Sequence, residues 1–146
     1  MYIVYMIYSS EGRAQRVADE LAVRNVIALL ARYADEGTLE AYGALFTPDA
    51  CWEMPGGRIR KGREDIVAGG AERRAAHVAG PGTHTRHLVG TVSVELDGDR
   101  AEAASYWQFY AATDSIPRVQ SMGRYRDLFQ LTVVGWRLHY RQVTLG

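Results

Sequence analysis

The second half of the chain, from residue 85 onward, is an almost unbroken succession of strand-like segments joined by short turns. β-Branched and aromatic residues alternate with polar residues in these segments, which is the pattern of half-buried strands. The segments are "TRHLVGTVSVEL", "AEAASYWQFYAAT", "PRVQSMGRYRDLFQLT" and "VVGWRLHYRQV", and the turn "DGD" separates the first two. Long strands that follow one another through short turns pair in antiparallel fashion, because each turn reverses the chain.

The first half is mainly helical. Apolar residues recur at spacings of three and four between residues 13 and 35, which predicts an amphipathic helix that stops at Gly37. Thr38 is the expected N-cap of a short second helix, "LEAYGALF". We then expect a turn at "TPDA", a strand pair formed by "CWEM" and "RIR" about the turn "PGG", and a third helix, "REDIVAGGAERRAAHV". Gly69 and Gly70 weaken this third helix.

The order of these elements predicts an α+β fold with the helices on one face of a curved antiparallel sheet. We expect one domain over residues 1–146, because the length suits one core and no repeat, linker or low-complexity segment interrupts it. Residues 14–143 form the core of this domain, and residues 1–13 form an apolar N-terminal extension. The extension is consistent with an added edge strand, an arm swapped in a dimer, or translation from an early start codon.

Charge and cysteine content exclude several classes of function. The 17 basic and 17 acidic residues cancel, so nothing indicates binding to nucleic acid or to an anionic membrane. Cys51 is the only cysteine, so an intrachain disulfide is impossible and nothing points to an oxidising compartment. The apolar run near the N-terminus is too short to span a bilayer and lacks the features of a signal peptide. We therefore expect a cytoplasmic protein.

Several segments, taken in order, resemble a known family. They are "ELAVRNVIALLARYADEGTLEAYGALFTPDACWE", "GRED", "TRHLVG", "GRYRD" and "GWRLHYR", and they lie within residues 14–143. In this combination the chain resembles the SnoaL-like branch of the nuclear-transport-factor-two-like (NTF2-like) superfamily. The resemblance implies a cone-shaped, cystatin-like α+β barrel with a deep pocket between the helices and the concave sheet. Similar proteins include scytalone dehydratase, bile-acid dehydratases, lindane dehydrochlorinase, polyketide cyclases and steroid isomerases, but also ligand carriers and accessory subunits without chemistry.

The resemblance also pairs Asp35, near the end of the first helix, with His87 in the "TRH" segment. It assigns them the places of the aspartate–histidine dyad in the dehydratases and the dehydrochlorinase. The chemistry of the residues agrees, because a buried carboxylate on one imidazole nitrogen fixes the tautomer and leaves the other nitrogen as a base. Such a base removes a proton from a carbon beside a carbonyl or a leaving group.

One departure from the family pattern concerns the acid that would assist this base. Bile-acid dehydratases have a tyrosine five residues before the aspartate, where this chain has Leu30. Scytalone dehydratase has a tyrosine immediately before its aspartate, where this chain has Ala34. Tyr33 lies nearby but at a different helical angle, and it is retained as a candidate for substrate binding. The departure favours isomerisation or cyclisation over elimination of a hydroxyl group.

Strand alternation predicts which side chains line the pocket. The expected set is aromatic and mostly apolar, and it comprises Trp52, Met54, Trp107, Phe109 and Tyr125. These aromatic residues suit a cyclic ligand, although the same residues could simply fill a core. In a regular strand His87 would lie opposite the apolar set of "TRHLVGTVSVEL". We therefore predict a β-bulge at Gly90–Thr91, which shifts the alternation and turns His87 into the pocket.

The remaining polar candidates are assigned to the surface. His84 is expected in a loop, His77 at an exposed helix end, and His139 with Arg137 and Arg141 on the outer face of the last strand. The sequence offers no metal-binding spacing, phosphate loop or dinucleotide fingerprint, so we expect neither a metal nor a cofactor.

The sequence thus predicts a cofactor-independent lyase, isomerase or cyclase that acts on a hydrophobic cyclic small molecule, with Asp35 and His87 as the general base. The alternative is a non-catalytic small-molecule-binding or accessory protein of the same fold. Family members commonly pair through the outer face of the sheet, so the resemblance also implies a homodimer or larger assembly. In it, residues 2–8 are expected to be ordered against a sheet edge or a partner chain.

Overall fold

The computed structural model describes residues 9–146, and the expectation for residues 2–8 lies outside the described residues. The helices are α1 (Ser10–Asp35), α2 (Leu39–Gly43) and α3 (Arg63–Ala75). The strands are β1 (Phe46–Glu53), β2 (Ile59–Lys61), β3 (Arg86–Asp97), β4 (Arg100–Ala111), β5 (Arg118–Thr132) and β6 (Gly135–Leu145). Within residues 9–146, no helix combines the length and apolar character needed to cross a membrane.

The strands form one sheet in the order β2-β1-β6-β5-β4-β3. Neighbouring strands are antiparallel except for β1 and β6, which run parallel. Helix α1 contacts β3 and β6, and α3 contacts β1 and β2. The sheet is curved and does not close, since β2 and β3 lie at its two edges. The predicted α+β fold, with helices against a curved sheet, is confirmed.

Helix α1 begins earlier than the apolar pattern predicts, because Ser9 caps it. The Ser9 hydroxyl accepts a hydrogen bond from the Gly12 amide at 2.9 Å, which satisfies one of the donors left open at a helix start. Gly37 lies beyond the helix end, where a Cβ atom would approach the Cα atom of Tyr33 to 2.7 Å. The buried stripe of the helix faces the sheet and consists of Val23, Val26, Ile27, Leu30 and Asp35.

The turn predicted at "TPDA" is wrong, because these residues belong to β1. The pairing with β6 is irregular here: Phe46 faces Leu138, and the next partners are Cys51 and Tyr140. Five steps along β1 therefore match two steps along β6. Pro48 has no amide hydrogen to donate to a ladder, so turn-forming residues are accommodated in a strand that bulges away from its neighbour.

The predicted bulge in β3 is confirmed. Gly90 pairs with Tyr106 and Ser93 pairs with Ala104, so three steps along β3 match two along β4. The residue with a positive φ is Thr91, at 50°, rather than the glycine. The bulge reverses the alternation, and the side chains that then turn toward the helices are His87, Val89, Val92, Val94 and Leu96.

A second bulge, in β6, was not predicted, and it corrects one assignment. Two steps along β6 match one step along β5 at His139. Leu138 faces the core before this bulge, and Arg141 faces it afterwards. The expectation that Arg141 lies on the outer face is therefore wrong: it is only 3% exposed, whereas Arg137 and His139 remain partly exposed.

The close approach of β5 to β6 generates a prediction about Gly123. A Cβ atom at this position would lie 1.9 Å from the Thr144 carbonyl oxygen and 2.8 Å from a ring carbon of Trp107. We expect Gly123→Ala to lower the free energy of unfolding by about 3 kcal/mol, as overpacking against backbone does, measured by urea denaturation.

Gly90→Ala is the matched control, because a Cβ atom there meets nothing within 4 Å. It should change the free energy of unfolding by less than about 0.5 kcal/mol. Equal losses in the two variants would contradict the proposed role of the Gly123 contact.

Candidate active site

The end of α1 and the start of β3 meet at Asp35 and His87. His87 Nδ1 lies 2.6 Å from Asp35 Oδ1, and the His87 backbone amide donates to Asp35 Oδ2 at 2.8 Å. His87 therefore makes a hydrogen bond to each of the two carboxylate oxygens of Asp35. The Asp35 side chain is 3% exposed and the His87 side chain 11% exposed, so the contact is shielded from competing water.

This geometry defines how the imidazole can act. An ionised carboxylate only accepts hydrogen bonds, so Nδ1 of the neutral ring carries the proton and Nε2 is the nitrogen able to accept one. The ring also packs against Phe109, with centroids 4.6 Å apart. Beside the pair, Arg86 and Glu36 form a half-exposed ion pair at 2.9 Å, which also joins the end of α1 to the start of β3.

A cavity of about 340 Å³ lies beside His87 and is bounded by α1, α3 and the concave side of the sheet. Leu30 and Ala34, both on α1, contribute to its wall. The structure does not place Tyr33 there, because it packs, partly buried, against the core. The other predicted pocket residues line the cavity together, and they are Trp52, Met54, Trp107, Phe109 and Tyr125.

A buried ion pair supports the aromatic wall of the cavity. Arg141 Nε and Nη2 donate to the two carboxylate oxygens of Asp127, each at 2.7 Å. The guanidinium carbon lies 3.7 Å from the Tyr125 ring centroid and 5.1 Å from that of Trp52. Burial disfavours the charged guanidinium, but the Asp127 carboxylate outweighs it and raises the pKa of Arg141. Arg141 is therefore a permanent cation beneath two aromatic rings.

Two tyrosines at the cavity keep their hydroxyl protons. Burial raises the pKa of Tyr125, although the nearby Arg141 cation acts in the opposite direction. Burial likewise raises the pKa of Tyr42, which lines the cavity and was not predicted. Both phenols are thus hydrogen-bond donors at neutral pH. Among the side chains of residues 9–146, two buried nitrogen or oxygen atoms have no hydrogen-bond partner, Trp107 Nε1 and Ser105 Oγ.

No pattern in the sequence predicts the arginines of the cavity wall. Arg73 and Arg74 are neighbours on α3, where the sequence suggests only a basic, solvated helix face. Their position at the cavity follows from the way α3 lies over the sheet, which no local pattern reports. The arginines that contribute to the wall are Arg58, Arg60, Arg73, Arg74 and Arg141.

The other titratable candidates lie away from this site. His84 is 58% exposed and faces Asp114 at 3.7 Å, and His77 is exposed beyond the end of α3. Cys51 is a free, partly buried thiol. Within the described chain, no group of three or more histidine, cysteine, aspartate or glutamate side chains is placed to hold a metal ion.

Comparison with known proteins identifies related folds. Residues 15–142 match the model of the SnoaL-like domain. An NTF2-like protein with a cystatin-like fold from Novosphingobium aromaticivorans is 25% identical, with a TM-score of 0.80 over 95% of this chain and 91% of that one. A cystatin-like protein from Nostoc punctiforme PCC 73102 is 20% identical, with a TM-score of 0.77 over 88% and 92% of the two chains.

A third solved structure comes from Streptomyces avermitilis and is named provisionally as a dehydratase of the NTF2-like family. It is 16% identical, with a TM-score of 0.74 over 88% of this chain and 97% of that one. No curated protein sequence matches the chain. The structural likenesses establish the NTF2-like, cystatin-like fold.

The buried Arg141–Asp127 pair generates a stability prediction. Arg141→Met removes the cation and leaves the Asp127 carboxylate buried without compensation, which should lower the free energy of unfolding by about 3–5 kcal/mol. The double variant Asp127→Leu/Arg141→Met removes both charges and should recover most of that loss. Urea denaturation of the two variants measures the difference.

The control is Arg86→Met, which breaks the half-exposed pair with Glu36. It should cost less than about 1 kcal/mol, because water screens exposed pairs. A double variant as unstable as Arg141→Met alone would show that packing, rather than the uncompensated charge, causes the loss.

Proposed function

The chain belongs to the SnoaL-like domain family, and we propose that it is a cofactor-independent lyase, isomerase or cyclase that acts on a hydrophobic cyclic small molecule. His87 is the general base of this proposal, and Asp35 orients it. The observation that carries the proposal is the two-point contact between the Asp35 carboxylate and His87 at the wall of an aromatic cavity.

The proposed reaction begins when His87 Nε2 takes a proton from a carbon beside a carbonyl group. The electron pair of the broken C–H bond passes into the carbonyl to form an enolate. The resulting imidazolium is stabilised by the Asp35 carboxylate, which stands 2.6 Å from Nδ1. The protonated hydroxyls of Tyr42 and Tyr125 serve as hydrogen-bond donors to the enolate oxygen.

The enolate can continue in three ways that balance atoms and charge. Return of the proton from His87 to another carbon isomerises the substrate. Attack of the enolate carbon on a second carbonyl closes a ring, and the alkoxide formed from that carbonyl takes the proton back from His87. Loss of a leaving group from the neighbouring carbon completes an elimination. We favour the first two, because Leu30 and Ala34 stand where relatives carry the phenol that would protonate a leaving hydroxyl.

The shape of the cavity supports a flat cyclic substrate. Its volume of about 340 Å³ falls at the small end of ligand pockets, which span about 300–1,000 Å³. Trp107 and Tyr125 form a stacked wall, with ring centroids 5.9 Å apart and planes inclined by 24°. A fused ring system offers the flat apolar faces that such a wall binds.

We expect the protein to accelerate deuterium uptake at the α-carbon of fused-ring ketones in heavy water, with α-tetralone as the first probe and mass spectrometry as the readout. His87→Ala should reduce the rate to the spontaneous background. Asp35→Asn should cost several orders of magnitude, since loss of tautomer control in a related triad costs on the order of 10⁴. His84→Ala is the matched control, because His84 is an exposed loop histidine, and it should retain full activity.

Two results would count against this function. Full exchange by His87→Ala would show that His87 is not the base. Tight binding of the ketones without any acceleration of exchange by the wild type would favour the alternative, a non-catalytic binding or accessory protein that uses the same cavity.

We further propose that the protein forms a homodimer through the outer face of its sheet. On that face Leu88, Gln108 and Met122 are register partners across three strands, and Leu88 and Met122 are 53% and 48% exposed. Such a row exposes apolar surface that a second copy can cover.

Light scattering coupled to size-exclusion chromatography should therefore report a dimer, or a larger assembly, at micromolar concentration. Leu88→Glu/Met122→Glu should shift the protein to monomer, because it replaces the two exposed apolar side chains of this row with charged ones. Val133→Glu, in the exposed turn between β5 and β6, is the control and should leave the assembly intact. A monomeric wild type would overturn the proposal.

A further inference from the structure

The cavity wall is cationic, although the chain as a whole has a formal net charge of zero. Its lining includes five arginines but a single carboxylate, that of Glu72. Asp35 and Asp127 lie behind the wall, where the first holds His87 and the second holds Arg141. The surplus of positive charge is therefore a property of the cavity.

Three of the five arginines have partners that fix them. Arg141 is neutralised by Asp127, and Arg60 bonds to Glu72 at 2.5 Å and to Asp65 at 3.2 Å. Arg74 donates to the backbone carbonyl oxygens of Tyr33 and Gly37, each at 2.8 Å, at the C-terminal end of α1. The hydrogen bonds of these three guanidinium groups therefore stabilise the fold.

Two arginines, Arg58 and Arg73, differ from them, because neither has a hydrogen bond or an ion pair to any side chain among residues 9–146. Of these two, Arg73 is the one that lies beside an aromatic ring of the cavity. Its guanidinium carbon lies 5.8 Å from the ring centroid of Phe109. That ring in turn packs against His87, with centroids 4.6 Å apart. The uncommitted cation and the imidazole therefore border one aromatic ring on the same cavity.

We propose that the substrate carries an anionic group, a carboxylate or an equally acidic enol, and that Arg73 binds it. A guanidinium presents a planar fork of donors that matches a carboxylate, and the ring beneath it removes part of its water. Because Arg73 and His87 both lie beside Phe109, a fused-ring molecule whose anion binds Arg73 would extend along the Phe109 ring toward the imidazole. Arg73 is thus a specificity-determining residue. The inference rests on the proposed function only in placing the reacting carbon of the substrate at His87.

The experiment compares two isosteric probes that differ in charge, 2-naphthoate and 2-naphthamide. Neither undergoes the proposed reaction, so their dissociation constants, measured by isothermal titration calorimetry, report binding alone. The wild type should prefer the naphthoate by about tenfold, the contribution of one charge-assisted hydrogen-bonded pair. The preference should shrink in about 1 M salt, because the cavity mouth is accessible to screening ions.

Arg73→Gln should remove the preference by weakening naphthoate binding and leaving naphthamide binding unchanged. Arg73→Lys keeps the charge but loses the fork, and it should retain part of the preference. Arg124→Gln is the control, because Arg124 is exposed on the other side of β5, and it changes the net charge by the same amount. This control should bind both probes as the wild type does.

Three results would overturn the inference. They are equal affinity of the wild type for the two probes, no measurable binding of 2-naphthoate, and a preference that survives Arg73→Gln. If the preference survives Arg73→Gln but disappears in Arg58→Gln, the anion binds the other uncommitted arginine and the assignment to Arg73 is wrong. His87→Ala should keep the preference, so a failure of the catalytic proposal remains distinguishable from a failure of this one.

Discussion

The carboxylate of Asp35 accepts two hydrogen bonds from one residue, the first from the ring of His87 and the second from its backbone amide. A carboxylate at the C-terminal end of a helix opposes the helix dipole, and a buried one also loses its water. Both costs are offset only if hydrogen-bond donors surround the Asp35 carboxylate. The two contacts fasten the end of α1 to the start of β3, and they leave the imidazole in one orientation and one tautomer. The orientation of the His87 ring and the attachment of α1 to β3 therefore depend on the same carboxylate.

Two of the bulges in the sheet bring polar side chains to the cavity side. The bulge at Thr91 turns His87 toward the helices, and the bulge at His139 turns Arg141 inward beneath Trp52 and Tyr125. A bulge reverses the alternation of side chains along a strand and also bends it, so the curvature of the sheet and the composition of the cavity arise together. The bulges thus contribute both to the concave shape of the sheet and to the inward position of His87 and Arg141.

Charge is distributed unevenly around this cavity. In the deep wall, the Arg141–Asp127 pair is neutral as a unit, and its cation supports two aromatic rings. At the mouth, α3 contributes a guanidinium that no carboxylate of the described chain neutralises. An apolar interior with a positive rim selects molecules by both shape and charge. This combination connects the SnoaL-like fold of the chain to the proposals for a cyclic, anionic substrate.

Spacing and capping, which are local properties, were enough to predict the helices, the succession of the strands along the chain, the α+β class and the cap at Thr38. The parallel pairing of β1 with β6 was not predicted. Together with the family resemblance, the sequence also indicated Asp35, His87 and the aromatic wall. It could place the bulge in β3, because a histidine on the wrong side of an apolar strand signals a break in alternation. The sequence could not place the bulge in β6, because each face of that strand carries both apolar and polar side chains whether or not a bulge is assumed. The burial of Arg141 and the position of Arg73 at the cavity could not be predicted, because both follow from the packing of segments that are distant in the chain rather than from any local pattern.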